Sequence, residues 1–180
     1  VTPLKDDLAA VDAITDLKSF IATMARLEMR GAGGLFGAAI YADPMNSSMN
    51  IFHISQGGLS LPDESYYREE QFAHIREAFL AHLTRMGELT STPLMAQQIL
   101  ALETEIATHH WDQVKDRDAE LTYNKTTRQE LEELAPNFHW DIWLENAQVP
   151  SAALDPLNIH EPSFFSGISS MLADFESRRE

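Results

Sequence analysis

Seven histidines are the residues of this sequence best suited to metal or acid–base chemistry, so their spacing is the first question. The zinc motif His-Glu-x-x-His sets two imidazoles on one helical face with a general base between them. The chain does not contain it. His109 and His110 are adjacent, which turns them about 100° apart on a helix. His160-Glu161 is followed by Pro162 and has no second histidine nearby. His74 and His82 stand about 12 Å apart by helical rise, too far for one ion. Glu103, Glu105 and His109 invite a carboxylate-bridged di-iron reading, but that site repeats Glu-x-x-His on two helices, and the pattern is absent here. Solvated helix faces account for these acidic positions. There is no Gly-x-Ser-x-Gly elbow and no cysteine nucleophile. The four glycines between 31 and 37 are not ordered as a phosphate loop and read as a helix stop feeding a strand. From side-chain chemistry alone, no active site is visible.

The elements that would position these residues are mainly helical. In 180 residues there is room for one domain with a real core. Thr2-Pro3 reads as a cap and first helical residue, and Thr15 as the cap of a second helix carrying Leu17, Phe20, Ile21, Met24 and Leu27. Leu35 to Ala42 and Met49 to Gln56 are short apolar runs joined by Asp43-Pro44-Met45-Asn46-Ser47-Ser48. That pattern predicts an antiparallel hairpin with a six-residue connection. An isolated hairpin is marginal, so it must pack on helices or on a partner. A strand-to-helix junction follows at Gln56-Gly57-Gly58-Leu59-Ser60-Leu61-Pro62-Asp63-Glu64-Ser65-Tyr66-Tyr67. Its glycines permit a sharp exit, and its Pro62 and acidic residues suit a helix start.

Beyond the junction the spacing predicts a helix from Glu69 to Met86, capped by Gly87. A second begins at Ser91-Thr92-Pro93 and runs to about Val114, with Met95, Ile99, Leu102 and Ile106 on its apolar face. Thr127-x-x-Glu130 is a capping box, and Pro136 closes the short helix after it. Another short helix holds Trp140 and Trp143. Residues 151–162 read as an extended connection, and a last helix spans about Ser163 to Ser177. The fold expected is mainly α: one helical domain over 1–180 with one antiparallel β-hairpin near residues 35–56.

Charge narrows the partners. Asp plus Glu outnumber Lys plus Arg by 28 to 13, a net −15, which repels nucleic acid and anionic membranes. With no cysteine, disulfides and thiolate zinc sites within the chain are excluded, and a reducing, cytoplasmic setting is expected. The chain lacks an initiator Met, so an excised piece of a longer protein is expected, and a targeting segment could have gone with the rest.

Several short runs, taken in order, resemble the neprilysin and endothelin-converting-enzyme family of zinc metallopeptidases, with the bacterial oligoendopeptidase O branch nearest. They are Asp43-x-x-Asn46-Ser47; Gln56-x-Gly58-Leu59-x-Leu61-Pro62-x-x-x-Tyr66-Tyr67; Glu103-x-x-Ile106-Ala107; and Arg117-Asp118. Tyr123-Asn124-Lys125-x-Thr127-x-x-Glu130-Leu131 and Ala135-Pro136-x-Phe138-x-Trp140-x-x-Trp143-Leu144 complete the set. The resemblance falls on that family's N-terminal, non-catalytic domain, which roofs a closed cavity above a catalytic domain and limits substrates to small peptides. It implies zinc in the catalytic domain of a parent chain and none here. It also implies that domain as partner, peptides as substrates of the full enzyme, and no membrane contact from this segment. No catalytic or metal role carries over to any residue present. Gln56, Gly58, Leu59, Pro62, Tyr66, Tyr67, Tyr123, Asn124, Pro136 and Trp140 are expected as fold determinants, with direct substrate contact the other reading. A free-standing helical interaction module remains the alternative to a peptidase segment, and an autonomous hydrolase ranks last.

Overall fold

The sequence patterns are realised as ten helices and a small sheet among residues 2–92 and 94–178, the residues that the computed structural model describes. Thr2–Leu4 makes a 3-10 turn into α1 (Lys5–Asp12), and the expected Thr2 cap side chain lies outside the described residues. α2 is Leu17–Glu28. Its cap is Asp16, not Thr15: the Asp16 carboxylate accepts from Ser19 N at 2.7 Å, and Ser19 Oγ accepts from Asp16 N at 3.0 Å.

Strands β1 (Phe36–Asp43) and β2 (Asn46–Gln56) form the hairpin. Its connection is shorter than the turn formers suggested. Asn46, Ser47 and Ser48 join β2, where their side chains are exposed, and only Pro44 and Met45 lie between the strands. The register shifts between Ala42 and Asp43 to absorb the mismatch.

The helical half begins with α3 (Ser65–Arg68), a 3-10 turn at Glu70–Phe72 and α4 (Ala73–Thr90). Gly87 is buried inside α4 instead of capping it. Ser91 caps it, taking the left-handed conformation at φ 55°. α5 (Ala96–His109) starts later than expected, and residue 93 of the expected start lies outside the described residues. It also stops earlier: Val114 sits in a separate turn, α6 (Gln113–Asp116), and is exposed. Then come β3 (Lys125–Thr126), α7 (Arg128–Leu134) with its Thr127–Glu130 capping box, and α8 (Trp140–Asn146). The expected extended stretch holds a 3-10 turn at Ser151–Leu154 and strand β4 (Leu157–Ile159). The last helix breaks at Asp174 into α9 (Pro162–Ala173) and α10 (Phe175–Arg178).

The architecture is mainly α with a small sheet, but the sheet is larger than a hairpin. Its order is β1-β2-β4-β3, with β4 parallel to β2 and antiparallel to β3. β4 covers Phe52 to Ile54, the inner half of β2, and all three of its residues are buried. The outer half of the hairpin is bare, with Met49 48% exposed. Among the described residues no helix is long and apolar enough to cross a membrane.

One aromatic residue gathers the core. Phe36, at the start of β1, lies 5.2 Å from Trp143, 5.5 Å from Phe138, 5.6 Å from Trp140 and 5.7 Å from Phe165, ring centre to ring centre. These rings come from the sheet, the turn after α7, α8 and α9, so Phe36 joins four parts of the chain. Phe36→Ala should therefore cost about 3–5 kcal/mol, as large aromatic deletions in packed cores do. A urea midpoint within error of the parent's would show that the neighbouring rings close the gap.

Candidate functional site

The family-like runs, scattered along the sequence, meet in three clamps, two at the strand-to-helix junction and one at the hairpin tip. The first is built on Glu103. This side chain points from α5 into the protein and is only 9% exposed. Its carboxyl accepts from Ser60 Oγ at 2.7 Å, Ser60 N at 3.2 Å and Tyr67 OH at 2.5 Å. The same Tyr67 oxygen accepts from Leu61 N at 2.9 Å. Burial, then the bond to Glu103, pushes the Tyr67 phenol well above its usual range, so it stays a donor. Glu103 is thus no part of a solvated face. The signal was in the sequence: Glu103, Ile106 and Ala107 are spaced i, i+3, i+4 and share a face, and all three are buried.

The second clamp holds the end of β2. The Gln56 amide pairs with the Trp111 backbone in both directions: Trp111 N donates to Oε1 at 2.7 Å, and Nε2 donates to Trp111 O at 3.1 Å. Gln56 N donates to Glu161 Oε2 at 2.7 Å. His110 Nε2 donates to Gly57 O at 2.8 Å. Gly57 passes so near β1 that a Cβ would lie 3.0 Å from Phe36 Cα, and Gly58 turns the chain at φ +82°. Beside this clamp is a cavity of about 390 Å³ lined in part by Gln56, Pro62, His110, Trp111, Asp116 and Arg117.

The third clamp fixes the hairpin tip. Asp43 is fully buried and accepts from Lys125 Nζ at 2.7 Å, Met45 N at 2.9 Å and Tyr123 OH at 2.9 Å. The Lys125 bond, then the Met45 N–H, holds its pKa down at about 2. Asn124 ties the adjoining turn to β4, with its N donating to Asn158 Oδ1 at 2.6 Å and its Nδ2 to Ile159 O at 3.0 Å.

The remaining family-motif residues have separate places. Leu59 packs on the core, and Tyr66 stacks on Phe72 at 4.0 Å. Pro62 and Pro136 are exposed, while Trp140 is buried in the aromatic cluster. The histidines do not converge as ligands. His53 and His160, distant in sequence, sit with Nδ1 and Nε2 3.0 Å apart. Burial lowers the pKa of both rings, so they share one hydrogen bond as neutral groups. His74 and His82 are exposed on α4. Among the described residues, no three of His, Asp or Glu are grouped to hold a metal ion.

Comparisons with known proteins agree on one relationship. The model of peptidase family M13 matches residues 1–180. Endothelin-converting enzyme 1 from Bos taurus is 32% identical over 147 residues, covering 76% of this chain and 19% of its own length. The Mycobacterium tuberculosis zinc metalloprotease Zmp1, solved with an inhibitor, superposes with a TM-score of 0.93 at 34% identity, over 99% of this chain and 28% of that one. PepO from Lactobacillus rhamnosis HN001, at 18% identity, shares the fold with a TM-score of 0.72, over 98% of this chain and 29% of its own. The chain thus spans about a fifth of the length of the curated relatives it matches.

Two outcomes follow from the clamps. Gly58→Val should destabilise the fold by roughly 1–3 kcal/mol, because a β-branched residue is strained at positive φ. An unchanged denaturation midpoint would refute the strain. The second outcome concerns Glu161, which is buried. Burial, then a hydrogen bond with Asp116, raises its pKa. The folded chain therefore keeps a proton that the unfolded chain releases near pH 4 to 5, at about the ordinary carboxylate value. The stabilisation is full below that range and is lost as pH rises through the raised value. Glu161→Gln keeps a neutral partner for Gln56 N, so its thermal midpoint should gain on the parent's as pH climbs from about 4 to 8. A constant difference between the two midpoints would contradict the assignment.

Proposed function

This chain belongs to peptidase family M13, and on that footing we propose that it is the roof of the substrate cavity in a zinc-dependent metalloendopeptidase. In the full enzyme it closes the cavity over the catalytic domain of the same parent chain and admits only peptides small enough to enter. Zinc and the general base belong to the remainder of the parent. The histidines and carboxyl groups here fit a zinc site poorly, because they are engaged with the fold: His53 with His160, His110 with Gly57, Glu103 with Ser60 and Tyr67, and Glu161 with Gln56. A zinc site needs three or four converging ligands. A cytoplasmic parent is part of the same proposal, supported by the absence of cysteine.

One observation carries this reading. The family model spans the whole chain, yet the chain covers only 28% of a zinc metalloprotease that it matches at a TM-score of 0.93. A segment so well conserved in shape, and so small a share of the relative, acts through what it is joined to. Its contribution is geometric: the three clamps fix the path of the junction and the hairpin, so that one face stays rigid against the rest of the enzyme.

The test uses the full parent enzyme. It should cleave a short fluorogenic peptide and leave the same sequence uncut when it is displayed in a folded protein. Equal cleavage of both would remove the size-filter role. The isolated segment should show no submicromolar zinc binding by calorimetry and no chelator-sensitive peptidase activity, and either would reassign the chemistry to this chain.

A further inference from the structure

Glu161 is only 1% exposed and is held from two sides. It directly precedes α9, and its Oε2 accepts from Gln56 N at 2.7 Å. The next residue back, His160, donates its N–H to Ile54 O at 3.0 Å. A third contact is of a different kind: the Asp116 side chain, at the end of α6, hydrogen-bonds to the Glu161 carboxyl. Two carboxyl groups bond to each other only when one of them carries a proton, because neither has a donor otherwise. Among the described residues no cation stands in for that proton. Lys115 lies over the Trp111 ring, 3.6 Å from its centre, and Arg117 reaches Gln113 Oε1 at 3.3 Å. The other titratable groups around the pair are His160, bonded to His53 of β2, and His110 after α5, bonded to Gly57 O. Burial favours the neutral form of all three rings.

The two halves of the pair differ in their freedom to move. Glu161 is sealed between β2 and α9. Asp116 is exposed, on a helix of four residues whose cap bonds stay within it: Asp112 Oδ1 accepts from Val114 N and Lys115 N, each at 2.9 Å. Trp111, held by the Gln56 side chain, anchors the near end of that helix. α6 also stands between two cavities, of about 390 and 740 Å³, and Gln113 borders both. We propose that Glu161 and Asp116 form a proton-operated latch: their shared proton holds α6 against the turn between β4 and α9, and its loss swings α6 out about Trp111 and joins the two cavities. The direction follows from the sealed side. Burial, then the bond to Asp116, raises the Glu161 pKa, so the latch is shut at low pH and opens as pH rises through the raised value. With α6 swung away, Asp116 no longer opposes a charge on Glu161, and the open form gives up the proton more readily. One proton released on opening lets the open fraction grow by at most about tenfold per pH unit.

Hydrogen exchange of the full parent enzyme, read by mass spectrometry from about pH 6 to 9 and corrected for the intrinsic rate, tests the latch. The reporters are Asp116 N, which donates to Asp112 O at 2.9 Å, and Asp118 N, which donates to Lys115 O at 3.2 Å. Their corrected exchange should rise with pH by up to about tenfold per unit, while β2 and α9 keep their protection. Glu161→Gln and Asp116→Asn each remove the repulsion between the two carboxylates, so in both variants the rise should vanish. Asp116 is exposed, so its variant keeps the fold and decides the matter even if the buried glutamine is not tolerated. Corrected exchange that stays flat with pH in the parent would overturn the proposal. So would a rise that survives Asp116→Asn, or one that spreads equally through β2 and α9, which marks general loosening instead of a latch.

Discussion

A carboxyl group removed from water must find donors, and Glu103 sets that demand at the centre of this fold. Its partners are the N–H and hydroxyl of Ser60 and the phenol of Tyr67, so the loop between β2 and α3 has little choice of path. The helix that carries Glu103 also sends Ile106 and Ala107 into the core, and the chain just after it provides His110 and Trp111 for the clamp on Gln56 and Gly57. Strand, junction and helix are therefore positioned as one unit. Removing Glu103 would leave buried donors unpaired, each at a cost of about 1–3 kcal/mol.

Much of the helical scaffold was legible because its signals are local. The Thr127–Glu130 capping box and the short helix of Trp140 and Trp143 announce themselves within a few residues. The sheet was not legible beyond its hairpin. β3 and β4 have two and three residues, and they are strands only because β2 offers a ladder to Leu157–Ile159. No window of the sequence contains that partner. The polar Asn46-Ser47-Ser48 misled for a related reason: on an exposed hairpin edge, turn formers are tolerated in a strand.

The chemistry-bearing residues show the same division. Spacing along one helix is all that the sequence offers for the histidines, and it could not pair His53 with His160, which meet through the β2–β4 ladder. Nor could it join Asp43 to Tyr123 and Lys125, whose separation in sequence hides a contact at the hairpin tip. Wording shared with a family compresses such long-range contacts into short runs. The junction itself was legible from its glycines and Pro62, whereas side-chain reasoning found no site and only the resemblance put the scattered runs in one set.

The parallel pairing of β2 with β4 also has a consequence for biosynthesis. Ile54 pairs with Ile159, so the inner half of the hairpin leaves the ribosome about a hundred residues before the strand that covers it. At ordinary rates of translation that interval is roughly 5–20 s. Throughout it, the apolar run Ile51-Phe52-His53-Ile54 presents an open ladder edge in the crowded exit region, where a neighbouring nascent chain could add to it. The nascent chain has to be shielded for that time, and the speed at which residues 57–159 are decoded sets how long.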